Sequence, residues 1–151
     1  MMHRAGLVLA LCLTLLGCHT AELIAYTPQA ARVENPEQAL VDAVNTGNFV
    51  PTKVEVSTKY LKAITVLGNG LQTSLLNFSE IAKVELYQYG SYFLVRIFNA
   101  DGKRLWQYEN KTVEGCKEFI DALEAVRKGG GQKAPPAAEP AAADAEPVKS
   151  L

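Results

Sequence analysis

Residues 77–110 read NFSEIAKVELYQYGSYFLVRIFNADGKRLWQYEN, and within this run apolar and polar positions alternate. A period of two places successive side chains on opposite faces of an extended chain, so strands are predicted at 81–87, 92–99 and 104–109. In the first of them Ala82, Val84 and Leu86 share one face and Lys83, Glu85 and Tyr87 the other. Gly90 with Ser91, and Asp101 with Gly102, stand where tight antiparallel turns are needed.

The same period extends toward the N-terminus. Val54 and Val56 alternate with Lys53, Glu55 and Ser57, residues 60–67 form a further run, and 71–78 would be its return. Between those two lie Gly68, Asn69 and Gly70, and Asn followed by Gly is a hairpin signal because both central positions favour positive φ. Further back the period lengthens: Asn35, Pro36 and Glu37 form a helix start, Gly47 a stop, and Ala39, Leu40, Ala43 and Val44 share one side.

After the last strand, Val113, Cys116, Phe119, Ile120, Leu123 and Val126 recur at spacings of three and four. This predicts an amphipathic helix over 112–128, with Thr112 as N-cap and Glu114 near the positive end of the helix dipole. The expected fold class is therefore α+β: a curved antiparallel sheet or partial barrel of 5–7 strands, closed by a C-terminal amphipathic helix and preceded by a short N-terminal one. Residues 35–128 would form this single domain. In its order of elements, and in the run 77–110 ahead of a helix ending FIDALEAVRK, the stretch from Thr52 to Lys128 resembles pleckstrin-homology-like and GRAM-like domains.

Charge names no partner for this domain. Residues 35–128 hold eight Lys and three Arg against three Asp and eight Glu, so the basic excess of a nucleic-acid footprint is missing and no nucleic acid is expected. Both histidines, His3 and His19, precede the domain, which removes histidine-assisted nucleophiles and histidine metal sites from it. Cys116 falls on the apolar stripe of the last helix, where a packed structural thiol is expected. No catalytic residue, metal site or cofactor is expected, and the chain reads as a non-enzyme.

Outside the domain the composition changes. Residues 129–151, GGGQKAPPAAEPAAADAEPVKSL, are rich in Gly, Ala and Pro and lack the apolar content to bury a core, so a disordered tail is expected. At the other end a short cationic start with Arg4 precedes the run AGLVLALCLTLL at residues 5–16. That run is shorter than the roughly 20 residues needed to span a bilayer as a helix, and has the form of a secretory signal.

Leu15, Leu16, Gly17 and Cys18 at the end of this run resemble the lipobox of bacterial lipoproteins; an ordinary secretory signal is the alternative. The resemblance implies cleavage before Cys18 by a type II signal peptidase. Residues 1–17 would be the signal peptide, and Cys18 would carry a diacylglyceryl group on sulfur and a further acyl chain such as palmitate on its amine. His19 follows where, in enteric bacteria, aspartate retains a lipoprotein in the inner membrane; the implied location is the cell envelope, on the outer membrane facing the periplasm. Residues 18–34 would be a tether, although Leu23, Ile24 and Tyr26 have the character to dock.

With Cys12 removed and Cys18 lipidated, Cys116 alone remains, so no intramolecular disulfide is expected. The expected function is a membrane-anchored, non-catalytic interaction module whose partner is an envelope protein. Tyr87, Tyr89 and Tyr92 are its candidate partner-binding residues, since tyrosines around a turn offer contact area at low entropic cost. Ordinary packing is the competing role for them. The alternative function is a carrier of a small apolar or lipid ligand held between sheet and helix.

Overall fold

The computed structural model describes residues 20–68 and 70–129. Its elements are β1 (Glu22–Ile24), a 3₁₀ turn at Ala30–Arg32, α1 (Pro36–Thr46), β2 (Lys53–Val56), β3 (Tyr60–Leu67), β4 (Gly70–Asn77), a 3₁₀ turn at Phe78–Glu80, β5 (Lys83–Tyr89), β6 (Tyr92–Phe98), β7 (Arg104–Asn110) and α2 (Val113–Gly129). The α+β class and the closing C-terminal helix are as expected. The single curved sheet is not.

Two antiparallel sheets replace it: a three-stranded one in the order β2-β3-β4 and a four-stranded one in the order β1-β5-β6-β7. No closed barrel forms among the described residues. The meander breaks at Phe78–Glu80, where the Phe78 N–H donates to the Lys59 carbonyl at 2.9 Å and the ring is buried. Beyond that turn β5 takes β1 as its neighbour instead of β4, with Leu23 opposite Tyr87.

Part of the expected tether is thereby inside the fold. Besides β1, the Tyr26 hydroxyl donates to the Asp121 carboxylate on α2 at 2.8 Å, and the Gln29 N–H donates to the same group at 2.7 Å. The boundary expected at Asn35 therefore lies at least as early as Glu22. The hairpin signal also shifts by one residue. Leu67 pairs with Gly70, so Gly70 opens β4 instead of standing at the centre of the turn, and Gly68 has φ +52°.

The helices follow the sequence pattern closely. Leu40, Ala43 and Val44 of α1 are buried, as are Cys116, Phe119, Ile120, Leu123 and Val126 of α2. Thr112 caps α2, its hydroxyl accepting the Gly115 N–H at 3.1 Å; Asn35 occupies the N-cap of α1 but makes no side-chain cap bond. Leu61 and Leu76 from the smaller sheet join Leu86, Val95 and Ile97 from the larger sheet and the helical residues in one cluster. Both sheets and both helices thus share a core.

One buried polar residue fixes the passage from β7 into α2. The Asn110 amide donates to the Tyr108 hydroxyl at 2.8 Å, and its carbonyl accepts the Thr112 N–H at 3.0 Å. Gly115 must be glycine here, because a Cβ would lie 2.3 Å from the Asn110 amide nitrogen.

Candidate functional site

The expected lipid attachment at Cys18 and the tail from residue 130 lie outside the described residues, as do His3 and His19. Among the described residues no helix is long and apolar enough to cross a membrane. No cluster of three or more His, Cys, Asp or Glu there is placed to hold a metal ion. Cys116 is fully buried, and burial pushes its thiol up to about 12, which suppresses thiolate chemistry.

The three tyrosines do come together. Period-two alternation puts them on the outer face of the larger sheet, with Tyr87 opposite Leu94 and Tyr89 opposite Tyr92 across the β5–β6 hairpin. The Tyr89 and Tyr92 rings sit 5.3 Å apart at 55°. Tyr87 is engaged twice: its hydroxyl donates to the Glu85 carboxylate, and the Arg96 guanidinium lies 5.0 Å from its ring centre.

Glu85 in turn pairs with Lys83, and that contact, followed by the Tyr87 hydroxyl, holds its carboxyl below the usual range. The same hydrogen bond raises the Tyr87 phenol. All three tyrosines are half-buried, and Leu94 on their face is only 2% exposed. This side of the sheet is a cross-linked aromatic and polar layer.

A second surface has no counterpart in the sequence reading. A cleft of about 420 Å³ opens between β7 and the inner face of the smaller sheet, with Phe49, Pro51, Ala63, Thr65 and Trp106 among its lining residues. Phe49, in the α1–β2 loop, is 76% exposed. An aromatic ring in contact with water at a cleft mouth is the kind of residue that interfaces cover.

β7 is the edge of the larger sheet, and its orientation follows from one bond. The Asn48 N–H donates to the Glu109 carbonyl at 2.8 Å, so Glu109 points its backbone away from β6. Alternation along an extended strand turns the Gln107 N–H and C=O the same way, toward the cleft. Among the described residues neither has a backbone partner on that side. The side chains along the edge are tied to one another, Arg104 to Gln107 at 2.9 Å and Gln107 to Glu109 at 2.7 Å.

The docked N-terminal segment has its own pH dependence. Burial, and then the hydrogen bond to Asp121, push the Tyr26 phenol up to about 12. A raised phenol contributes stability in full below its ordinary pKa of about 10, and loses it as pH rises through about 12. Tyr26→Phe is expected to cost about 1 kcal/mol at pH 8, the worth of one hydrogen bond. It should also reduce the further loss between pH 10 and 12, read from urea denaturation of both proteins at each pH.

Comparison with protein-family models, with curated proteins and with solved structures finds no match to this chain.

Proposed function

We propose that this chain is a lipid-anchored, non-catalytic protein-binding module of the bacterial envelope, held to the membrane through Cys18 on the periplasmic side of the outer membrane. The observation that carries the binding half is the outward-facing backbone of Gln107 beside the cleft. An extended segment of an envelope protein would lie along β7 as a further strand, exchanging hydrogen bonds with the Gln107 N–H and C=O. One of its side chains would enter between Phe49, Ala63 and Trp106. Backbone pairing supplies attraction and the cleft supplies selectivity.

The anchoring half rests on the lipobox residues Leu15, Leu16, Gly17 and Cys18. A PH-like or GRAM-like scaffold is part of the same reading. In its favour are two antiparallel sheets followed by a C-terminal helix; the leading helix α1 and the seating of β1 beside β5 are departures from it. The tyrosine layer is a less suitable binding surface, because Tyr87 is already held by Glu85 and Arg96. The lipid-carrier alternative requires room between the larger sheet and α2. There Leu86, Val95 and Ile97 share one cluster with Phe119, Ile120 and Leu123, each no more than 3% exposed.

Gln107→Pro tests the edge. It deletes an N–H that the sheet does not use, and proline is tolerated on an edge strand in that orientation. With a photo-crosslinking amino acid in place of Phe49 in living cells, a discrete adduct is expected from the parent chain. Gln107→Pro should abolish it while Tyr87→Phe leaves it. No adduct, or one indifferent to Gln107→Pro, would remove β7 as the binding edge.

A further inference from the structure

The edges of the two sheets are protected unequally. β2 carries Lys53 and Glu55, paired at 2.6 Å; β1 is three residues long and carries Glu22; on β7 the Glu109 carbonyl already accepts the Asn48 N–H, which leaves Gln107 as its open position. Charges and shortness are the usual means by which an edge strand avoids pairing with another chain. β4, at the edge of the smaller sheet, has neither protection. Its eight residues, GLQTSLLN, include no charge and no proline.

The direction of its backbone can be read from the neighbouring bonds. Phe78 donates to the Lys59 carbonyl in register with the β3–β4 pairs, so Leu76, Ser74 and Gln72 face β3. Leu71, Thr73 and Leu75 therefore direct their N–H and C=O groups outward. Their side chains also share the outer face of the smaller sheet, where Leu71 is 73% and Leu75 52% exposed. The order Leu71-Gln72-Thr73-Ser74-Leu75 reads the same in either direction by type, with apolar ends, polar flanks and Thr73 at its centre.

We infer that β4 pairs antiparallel with β4 of a second copy about a two-fold axis at Thr73, joining the two smaller sheets into one of six strands. In this register each outward residue faces an outward residue: Thr73 meets Thr73, and Leu71 meets Leu75 of the second copy, twice by symmetry. Every pair is of the type that exchanges both backbone bonds, and the exposed leucines cover one another. A foreign strand would satisfy the backbone equally well. The palindromic side-chain order is what selects a second copy.

A contact of this length is smaller than the roughly 1,600 Å² of a standard stable interface, so a covalent trap is the fitting measurement. Directly opposed residues of a bonded pair have Cα atoms about 5.5 Å apart, within the range a disulfide spans. The full chain is expressed in a bacterial host as Thr73→Cys and separately as Gln72→Cys, and the intact cells are oxidised. A dimer on a non-reducing gel is expected from Thr73→Cys, and none from Gln72→Cys or the parent, in which Cys116 is buried and Cys18 is the proposed lipid site.

Adding Leu75→Lys to Thr73→Cys should eliminate the dimer band. Equal yields from Thr73→Cys and Gln72→Cys would overturn the pairing, as would indifference to Leu75→Lys. An adduct of Thr73→Cys with a mass other than twice the chain would assign this edge to a foreign strand and overturn it too.

Discussion

Phe119→Ala is expected to lower the unfolding free energy by about 3–5 kcal/mol, the range for deleting a fully buried aromatic side chain. Phe119 has no exposed surface, and its ring stacks on Tyr108 with centres 4.3 Å apart and planes 7° from parallel. The Tyr108 hydroxyl donates to the Ala43 carbonyl at 2.8 Å. One ring stack thus joins α2 to β7, and through β7 to α1. Removing the Phe119 ring leaves a cavity and releases Tyr108 from one side of its seat.

Against a typical domain stability of about 5–15 kcal/mol, that loss takes a large fraction of the total. A urea melt should place the midpoint well below that of the parent with an unchanged slope, since the surface exposed on unfolding is nearly the same. A loss under about 1 kcal/mol would mean that the site collapses around the deletion, and that Phe119 does not organise the core.

Cys18→Ser is expected to abolish incorporation of labelled palmitate and to leave the precursor unshortened, still carrying residues 1–17. Both effects follow from the lipobox reading, in which the sulfur receives the diacylglyceryl group before the peptidase acts. Each buried methylene contributes about 0.8 kcal/mol of membrane affinity, and a single chain gives only reversible attachment. Loss of the sulfur removes its acyl chains together with the one that processing adds. Unchanged labelling and unchanged size on a gel would sink the lipoprotein proposal, while the β7 and β4 pairings would still stand on their own tests.

The positions of elements were legible wherever a period could be counted. Leu40, Ala43 and Val44, or Cys116 through Val126, declare a buried stripe without help from the rest of the chain. Partner choice between strands is a different matter. β1 has only three residues, Glu22–Ile24, too few to establish a period, and its pairing with β5 spans some sixty positions of sequence. For that reason the sequence pattern predicts one sheet where two exist, and gives the docked segment the character of a tether.

Site residues divide in the same way. Tyr87, Tyr89 and Tyr92 are close in sequence and their clustering around a turn was foreseeable, whereas the engagement of Tyr87 by Arg96 depends on strand register. The β7 cleft combines Phe49, Ala63 and Trp106 from three distant stretches. The one local signal for it was Phe49-Val50-Pro51, an apolar loop between a helix stop and a strand, which a half-buried core does not require.

The seating of β1 sets a height above the bilayer. If lipid is attached at Cys18, only residues 18–21 separate the acyl chains from the first strand, and an extended residue spans about 3.5 Å at most. The folded body then rides within about 14 Å of the headgroups, and the strand that begins at Glu22 is the part moored nearest to them. A protein so berthed has little freedom to swing, and whatever it binds must itself come down close to the membrane plane.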